Sequence, residues 1–477
     1  MHKVVYSLIG KIWMRTVIAR FSLVAMIAMA SPFGGLPVED AAAESVERTY
    51  TPRTRSKQPV STAIDSTGDR AATTLNSMQN WLRSPSLRTN EVDELSSRTR
   101  IYDADGAVFP MLGVRSAHAM ESAIQFYEKI ARSGGWGRIS PSKSLRPGGK
   151  GRAVVAVRHR LAIEGYLART AARGDAYDAV VAQAVLGFQQ NHGLPATGSV
   201  DKATAAAMSV PATARLDTMR ANLIRMPEYT RDLGNKYVLV NIPAAKLEAV
   251  ERDRVVSSHA VIVGKPERPS PIVTSQISEI NFNPYWHSPK SIVIKDIVPK
   301  VRKSKAILKQ MQIRIFDGYR GPEVSPDSIN WNAPAEEIAD RYHFRQEPGG
   351  ENAMASVKIN FKNKFAVYMH DTPTKTLFQQ NQRYFSSGCV RVEDVHQLTS
   401  WVLGNQDGWN LRQIKSVAQS EDRIDVAVQG KVAVHWVYLT AWAGPDGMVR
   451  FRDDIYGLDG TGFITGQPIG SPEGSAG

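Results

Sequence analysis

The sequence contains a single cysteine, Cys389, which directly follows Ser386-Ser387-Gly388. One thiol cannot form an intramolecular disulfide, and it cannot supply a zinc site built from several thiolates. Such a residue serves either as a small buried hydrophobe or as a nucleophile. Glycine permits a tight turn that gathers backbone N–H groups beside the thiol. We therefore expect Gly388 and Ser387 to line an oxyanion site if Cys389 is the nucleophile.

A histidine at the end of a predicted strand is the candidate base. His370 precedes the cysteine by 389 − 370 = 19 residues. An imidazole beside the thiol would favour a thiolate–imidazolium pair, lower the thiol pKa, and shuttle the proton as general base and acid. A third group must hold the ring. Asp371 and a backbone carbonyl are the candidates, and the carbonyl is favoured because Asp371 is adjacent in sequence.

The second half of the chain has the pattern of a β domain that would position this pair. Gly264 and the proline-rich residues 266–271 interrupt it, and Asn363 marks a turn. Alternating apolar residues predict strands over residues 237–242, 246–250, 353–361 and 365–369. Two further apolar segments, 432–441 and 448–451, predict a hairpin around residues 444–447.

Residues 283–345 differ from the strands on either side of them. Helical patches over 291–298 and 304–311 alternate with turn signals and aromatic residues, including Trp286. An insertion of this size in a β domain often serves as a lid or a substrate wall, and a purely structural elaboration is the alternative.

The first half of the chain is mainly helical. Residues 76–150 form a predicted scaffold, with an amphipathic helix over 120–131 that ends at Gly134-Gly135. Residues 151–210 form a compact unit of three predicted helices, the third capped by Asp201. Residues 211–234 return to the scaffold as a further helix. The fold class predicted for the whole chain is therefore α+β.

The N-terminus has the pattern of an export signal. Basic residues precede an apolar stretch that begins at Phe21, and a small-x-small site at 41–43 predicts a signal peptide over residues 1–43. An uncleaved membrane anchor is the alternative. Residues 44–75, which are rich in Thr, Ser, Arg and Pro, predict a disordered linker, and residues 461–477 a disordered tail. Export implies a location outside the cytoplasm.

The formal net charge of +13 suits an anionic partner. Nucleic acid is not the expected partner, because the sequence lacks zinc-finger spacing, an aromatic RNA-binding signature and a basic zipper. A zinc peptidase and a nucleotide enzyme are also disfavoured, since there is no His-Glu-x-x-His motif and no phosphate loop. No metal or cofactor is expected.

Taken together, the residues around the thiol resemble the active-site motif of the L,D-transpeptidases with a YkuD-type catalytic domain. That motif is a His, a gap, and then Ser-x-Gly-Cys-x-Arg, matched by His370, Ser386, Gly388, Cys389 and Arg391. Three further segments resemble the large Gram-negative branch of the family: residues 283–292, 345–352 and 438–442. Residues 353–356 depart from it, since they stand where the family often has a glycine-containing turn.

Residues 151–210 resemble the small three-helix peptidoglycan-binding domain. The matching pieces are Arg158-x-Arg160-Leu161 with Gly165-Tyr166, Phe188-Gln189, and Thr197-Gly198-x-x-Asp201-x-x-Thr204. The resemblance implies binding to the cell wall, with a structural spacer as the alternative. It makes residues 235–460 the catalytic domain and residues 283–345 its lid insertion.

The resemblance implies a reaction on peptidoglycan stem peptides in the periplasm. Cys389 would attack the carbonyl of an L-centre in a tetrapeptide stem and release D-alanine, and the side-chain amine of a second stem would complete a 3–3 cross-link. Acylation of Cys389 by carbapenems is a further family expectation. The implied substrate-binding residues are Tyr368, Trp286, Ser386, Arg383 and Arg391; the two arginines would hold stem carboxylates or form structural ion pairs, and the two aromatic residues would line the groove or pack in the core.

Other outcomes stay open. Water in place of the amine would give an L,D-carboxypeptidase, and a protein amine would attach that protein to the wall. A non-catalytic peptidoglycan-binding protein is the alternative from another class. Partners among the cell-wall synthesis proteins are also open.

Overall fold

The computed structural model describes residues 98–102, 108–140, 143–404, 406–420 and 422–460. The predicted signal peptide, linker and C-terminal tail lie outside these residues, as does the first part of the predicted scaffold. Within the described ranges, no helix is long and apolar enough to cross a lipid bilayer.

The architecture is α+β, with one large sheet at its centre. The strands are β1 Arg100–Ile101, β2 Lys236–Asn241, β3 Lys246–Glu251, β4 Arg254–Gly264, β5 Val273–Phe282, β6 Trp286–His287, β7 Ile313–Asp317, β8 Tyr342–Gln346, β9 Val357–Phe361, β10 Met369–His370, β11 Tyr384–Ser386, β12 Val390–Val392, β13 Ile424–Ala427, β14 Ala433–Val437, β15 Ala441–Ala443 and β16 Val449–Phe451. The large sheet has the order β1-β4-β12-β10-β9-β5-β14-β2-β3, with β11 on β4 and β13 on β5. Because β3 also pairs with β4, the ladder closes on itself.

Apolar residues on both faces explain why this sheet lies at the centre. Along β2, Val238 and Val240 face one core, whereas Tyr237 and Leu239 face another. A strand that is covered on both sides needs a continuous apolar run, and the segment Tyr237-Val-Leu-Val240 supplies it. The first core lies among the strands that carry Cys389, and the second lies under the N-terminal helices.

The helices are α1 Val114–Arg132, α2 Arg152–Glu164, α3 Ala179–Asn191, α4 Lys202–Ser209, α5 Ala212–Thr230, α6 Lys290–Ile292, α7 Val298–Lys303, α8 Ala306–Gln310, α9 Ala335–Arg341, α10 Val395–Leu403 and α11 Leu411–Ser420. Shorter 3-10 turns cover Arg169–Ala172, Pro326–Ser328, Lys375–Gln379 and Gln406–Gly408, and a π-helical turn, Val293–Ile297, joins α6 to α7. Helices α1 and α5 pack on each other and on the outer face of β2.

Helices α2, α3 and α4 form the compact three-helix unit that the sequence predicts. Its helix ends follow local rules: Gly165 ends α2 in the left-handed conformation, and Asp201 caps α4 by accepting a hydrogen bond of 2.7 Å from the Thr204 N–H. The unit has a core of its own, built around Leu161, Val185 and Phe188. The predicted cap and helix ends are confirmed.

The three-helix unit also packs against the β-rich half of the chain. His192 at the end of α3 lies between two rings, 3.8 Å from the Phe188 centroid and 5.4 Å from that of Phe451. Arg452 donates a 2.9 Å hydrogen bond to the Asn191 carbonyl. This carbonyl lies at the C-terminal end of α3, where a cation is favourable.

The insertion forms a small layer with its own core. Strands β6, β8 and β7 make an antiparallel sheet, and α6 to α9 pack on it around Val298, Trp331 and Phe344. The two helical patches predicted from the sequence are present, with the first interrupted by the π-helical turn.

Several predicted strands need correction. Residues 353–356 form a turn rather than strand, and Ala355 there takes a left-handed φ of 45°, the conformation for which a glycine is usual. Of residues 365–369 only the last joins a strand, because Asn363 holds the preceding loop with four hydrogen bonds. The hairpin at 444–447 is confirmed, but it joins only β15 and β16, since β14 lies in the large sheet.

Candidate active site

Two neighbouring parallel strands bring the candidate nucleophile and base together. In the β10–β12 pairing, Met369 lies opposite Val390 and His370 opposite Arg391. Side chains alternate between the faces of a strand. Cys389 and Arg391 therefore share one face with Tyr368 and His370, and Cys389 and His370 lie on the diagonal of this group. The fold thus brings together the two residues that the sequence predicts as a catalytic pair.

Tyr368 links the thiol to the insertion. Its hydroxyl donates to the Cys389 sulfur and accepts from the Trp286 indole N–H, and its ring lies 5.5 Å from that of His370, edge to face. Burial raises the pKa of Tyr368 well above its ordinary value, so the phenol is neutral and available as a donor. Tyr368 therefore contacts the thiol, whereas Trp286 is buried and contacts Tyr368.

The turn before Cys389 is fixed by short-range hydrogen bonds. Gly388 has a φ of 116°, which favours glycine, and its carbonyl accepts a 2.8 Å hydrogen bond from Ser270. The Ser386 hydroxyl donates to the Cys389 carbonyl at 2.5 Å and accepts from the Gly388 N–H at 3.2 Å. Ser386 is buried, so its contacts hold the turn, and the Gly388 N–H is engaged by it rather than aimed at a substrate oxygen.

Ser387 connects the same turn to the insertion. Its hydroxyl accepts a 3.0 Å hydrogen bond from Arg268, whose guanidinium forms an ion pair of 2.5 Å with Asp296 in the π-helical turn. A movement of the insertion is therefore coupled, through one arginine, to the loop that carries the nucleophile.

The backbone of Asp371 favours the protonated His370 ring, as expected of the carbonyl predicted to orient it. His370 is buried, and its Nδ1 atom makes no hydrogen bond of ordinary geometry among the described residues. The Asp371 carboxylate is bonded elsewhere, to the Ser356 hydroxyl at 2.7 Å, the Thr372 N–H at 2.8 Å and the Lys375 ammonium. The adjacent carboxylate therefore acts on the imidazole through its charge alone.

The proton states of the pair differ from the predicted thiolate–imidazolium. Burial, and next the charge of Arg391, lowers the pKa of His370 to about 3. Cys389 is partly exposed, yet burial raises its pKa to about 11. The hydrogen bonds from Tyr368 and the charges of Lys358 and Arg391 lower the pKa but do not outweigh burial. Both groups are therefore neutral at pH 7 in this conformation. The prediction that the thiol pKa is lowered is wrong, because the pKa is raised.

Arg383 is brought into the domain core rather than to the thiol. It is buried, and its guanidinium donates to backbone carbonyls, which belong to Ala245, Val261, Gln380 and Asn381. Between the two roles that the sequence leaves open, these contacts favour the structural one. Arg391 is half-buried and lies opposite His370 on the neighbouring strand.

Lys358 belongs to the site but escapes sequence reasoning. It lies opposite His370 across the β9–β10 pairing, and its ammonium is 4.6 Å from the centroid of the Tyr368 ring. The signal that would have found it is the strand register, because Val357–Phe361 alternates faces and pairs with the strand of His370. Among the described residues, no cluster of three or more His, Cys, Asp and Glu is placed to hold a metal ion.

Comparison with known proteins identifies the two folded parts. Residues 235–432 match the YkuD profile, described as the L,D-transpeptidase catalytic domain, and residues 150–208 match a putative peptidoglycan binding domain. Cys389 and His370 therefore both lie within the part of the chain that matches this catalytic-domain family.

One curated relative is a putative L,D-transpeptidase of Haemophilus influenzae, 32% identical over 223 residues, which are 46% of this chain and 44% of that protein. The match thus spans less than half the length of the curated relative. Solved structures include an L,D-transpeptidase from Xylanimonas cellulosilytica (16% identity, 62% of this chain and 99% of that one, TM-score 0.20). Another is from Stackebrandtia nassauensis (13% identity, 62% and 97%, TM-score 0.24).

Proposed function

We propose that the protein is a cysteine L,D-transpeptidase that forms 3–3 cross-links between peptidoglycan stem peptides. The observation that carries the proposal is the placement of Cys389 and His370 on one face of two paired strands, inside a YkuD-family domain. We place the reaction in the periplasm, in keeping with the signal-like N-terminus.

The first half of the reaction forms a thioester. His370 accepts the thiol proton as the Cys389 sulfur attacks the carbonyl of the third stem residue. The carbon–nitrogen bond to the terminal D-alanine then breaks, and His370 returns the proton to the leaving amine. The Tyr368 hydroxyl, which contacts the thiol, is a side-chain donor beside the developing negative charge.

The second half resolves the thioester with an amine. The side-chain amine of a second stem attacks the acyl carbon, loses a proton to His370, and displaces the Cys389 sulfur, which regains that proton. A new amide joins two third-position residues, and no metal or cofactor enters the balance. Water in place of the amine would give a carboxypeptidase, and a protein amine would give attachment of that protein to the wall.

Substrate binding must activate the neutral pair. The free site holds a thiol and an unprotonated imidazole, because burial disfavours the ion pair. Proton transfer between them becomes productive when the attacked carbonyl accepts the charge that the sulfur would otherwise carry. The proposed peptidoglycan contact of the three-helix unit would supply the chain at a fixed distance, since Arg452 and His192 hold the unit against the catalytic half.

Intact-protein mass spectrometry after mixing with a disaccharide-tetrapeptide tests the proposal. An adduct equal to the stem minus D-alanine is expected, and it must lie on Cys389 because the sequence has no other cysteine. His370→Gln should slow its formation by about 100-fold or more, whereas His118→Gln, an exposed histidine on α1, should not. Adduct formation by Cys389→Ala at the wild-type rate would refute the proposal.

A further inference from the structure

Two cations flank His370 on the face that carries Cys389. Arg391 lies opposite His370 across the β10–β12 pairing, and Lys358 lies opposite it across the β9–β10 pairing. Both charges act on the thiol. Each lowers the pKa of Cys389, whereas burial raises it. Strands β9, β10 and β12 therefore present a cation, an imidazole and a second cation in a row.

Neither cation has an ion-pair partner within 4.0 Å among the described residues. The Arg391 Nε atom is buried without a hydrogen-bond partner, and the Lys358 ammonium lies over the Tyr368 ring. Glu279 and Asp425 attract Lys358 from a greater distance. Their carboxylates accept hydrogen bonds from asparagine amides instead: Asn281 bonds to both and Asn360 to Glu279.

Two other buried guanidinium groups among the described residues are matched by oxygen atoms. Arg225 forms a 2.7 Å ion pair with Asp459, and Arg383 donates to four backbone carbonyls. Burying a charge is costly unless it is paired or hydrogen-bonded. Two partly desolvated cations left unpaired in one group are therefore arranged for an anion that arrives from outside the chain.

We propose that Lys358 and Arg391 form an anion subsite that selects a substrate carboxylate next to the attacked carbonyl. The identity of that carboxylate rests on the proposed function. In a tetrapeptide donor, the carboxylate of the departing residue is separated from the scissile nitrogen by one carbon, and Arg391 is two residues from Cys389 on the same strand face. Lys358 thereby becomes a specificity-determining residue in addition to Arg391.

Occupation of this subsite has a consequence for the base. The charges of Arg391 and Lys358 both lower the pKa of His370. A bound carboxylate offsets them and makes the imidazole a better proton acceptor at the moment when the donor stem is in place. The same carboxylate also offsets the charges that lower the pKa of Cys389, so the gain lies in the basicity of the imidazole and not in the thiol.

The experiment compares the alkylation of Cys389 by iodoacetate and by iodoacetamide, two probes of similar size of which only the first carries a carboxylate. Both attack the same thiolate, so the ratio of their second-order rate constants cancels any change in thiol pKa. The probes do not require cross-linking activity. Failure of the subsite and failure of the proposed function are therefore distinguishable.

For the wild-type protein we expect the iodoacetate-to-iodoacetamide ratio to exceed that of N-acetylcysteine by about threefold or more. Lys358→Gln and Arg391→Gln should each lower the ratio, and the double variant should bring it to within about twofold of the free thiol. Lys358→Arg should retain it, and Lys362→Gln, an exposed lysine next to β9, should not change it. Circular dichroism checks that each variant is folded.

A wild-type ratio equal to that of N-acetylcysteine, or a ratio unchanged in both glutamine variants, would overturn the subsite. If cross-linking activity is present, a tetrapeptide with a C-terminal carboxamide should react more slowly than the carboxylate. The difference should shrink in Lys358→Gln. An equal difference in wild type and variant would assign the discrimination to another residue.

Discussion

Arg391 is the register partner of His370 on the neighbouring parallel strand, so a guanidinium stands beside the imidazole that the proposed reaction uses as its base. Together with burial, this charge lowers the pKa of His370 to about 3. The free enzyme therefore holds a neutral histidine next to a neutral thiol, and the predictions on pH follow from that pair.

The pH dependence of Cys389 alkylation should reflect the burial of the thiol. Because burial raises the pKa of Cys389 to about 11, alkylation of the folded, substrate-free protein by neutral iodoacetamide should increase with pH up to about that value. The same protein in denaturant should follow the ordinary thiol value of 9.0. Stopped-flow mass analysis across pH 6 to 12 measures both curves. A folded-state midpoint at or below the unfolded one would contradict the structure.

His370 should make the protein sensitive to acid. Its pKa is lower in the folded state, so its contribution to stability is full above the unfolded value of 6.5 and is lost as the pH falls toward 3. The unfolding free energy of the wild type minus that of His370→Gln, both measured by urea unfolding, should decline over that window by at most about 1.4 kcal/mol per pH unit. The comparison cancels the other buried histidines, His192, His259 and His435, whose pKa values are also lowered. A flat difference would disprove the assigned shift.

Much of the helical half is readable from the sequence because its signals are local. The cap at Asp201, the left-handed end at Gly165 and the apolar stripe of Met120, Ile124 and Tyr127 each act within a few residues. The long strands β4 and β5 escape prediction because their patterns are broken. In β4 the buried residues Ser257, Ser258 and His259 are polar. In β5 the register shifts between residues 277 and 279. Helices α10 and α11 were also missed in a half predicted to be mainly strand.

Gly388 should tolerate no side chain. Its φ of 116° is one that other residues rarely adopt, and a Cβ atom would lie 3.4 Å from the Pro269 carbonyl oxygen. Gly388→Ala should cost about 1–3 kcal/mol of unfolding free energy and displace the turn that presents Cys389. Gly137→Ala is the matched control, since its φ is ordinary and nothing lies within 4 Å of the added atom. Equal urea midpoints for the two variants would show that the turn accommodates alanine.

Arg452 should hold the three-helix unit against the catalytic half. Its guanidinium donates to the Asn191 carbonyl at 2.9 Å and lies 5.1 Å from the Trp442 ring centroid. Arg452→Ala should lower the unfolding free energy by about 1.5–3 kcal/mol, the range for hydrogen bonds to charged groups. Exposed Arg169→Ala serves as the control. If both variants behave like wild type, the docking contact contributes nothing to stability.

The candidate site was only partly predictable. The motif around Cys389 identifies the nucleophile, its turn and His370, because those residues lie close together in sequence. Lys358 and Ser270 could not be found that way. Lys358 reaches the site through the β9–β10 register, and Ser270 through a bond to Gly388, 118 residues further along the chain. The raised thiol pKa was missed for the same reason, since burial depends on the whole domain.

The products formed from disaccharide-tetrapeptides by residues 44–477 test the central claim most directly, with Cys389→Ala in parallel and mass spectrometry as the readout. The account predicts a dimer that has lost one D-alanine, formed by the wild-type protein and not by the variant. Tripeptide without dimer would replace the transpeptidase by a carboxypeptidase. Unchanged tetrapeptide in both samples, or dimer formed by Cys389→Ala, would contradict the assignment of Cys389 as the acyl carrier.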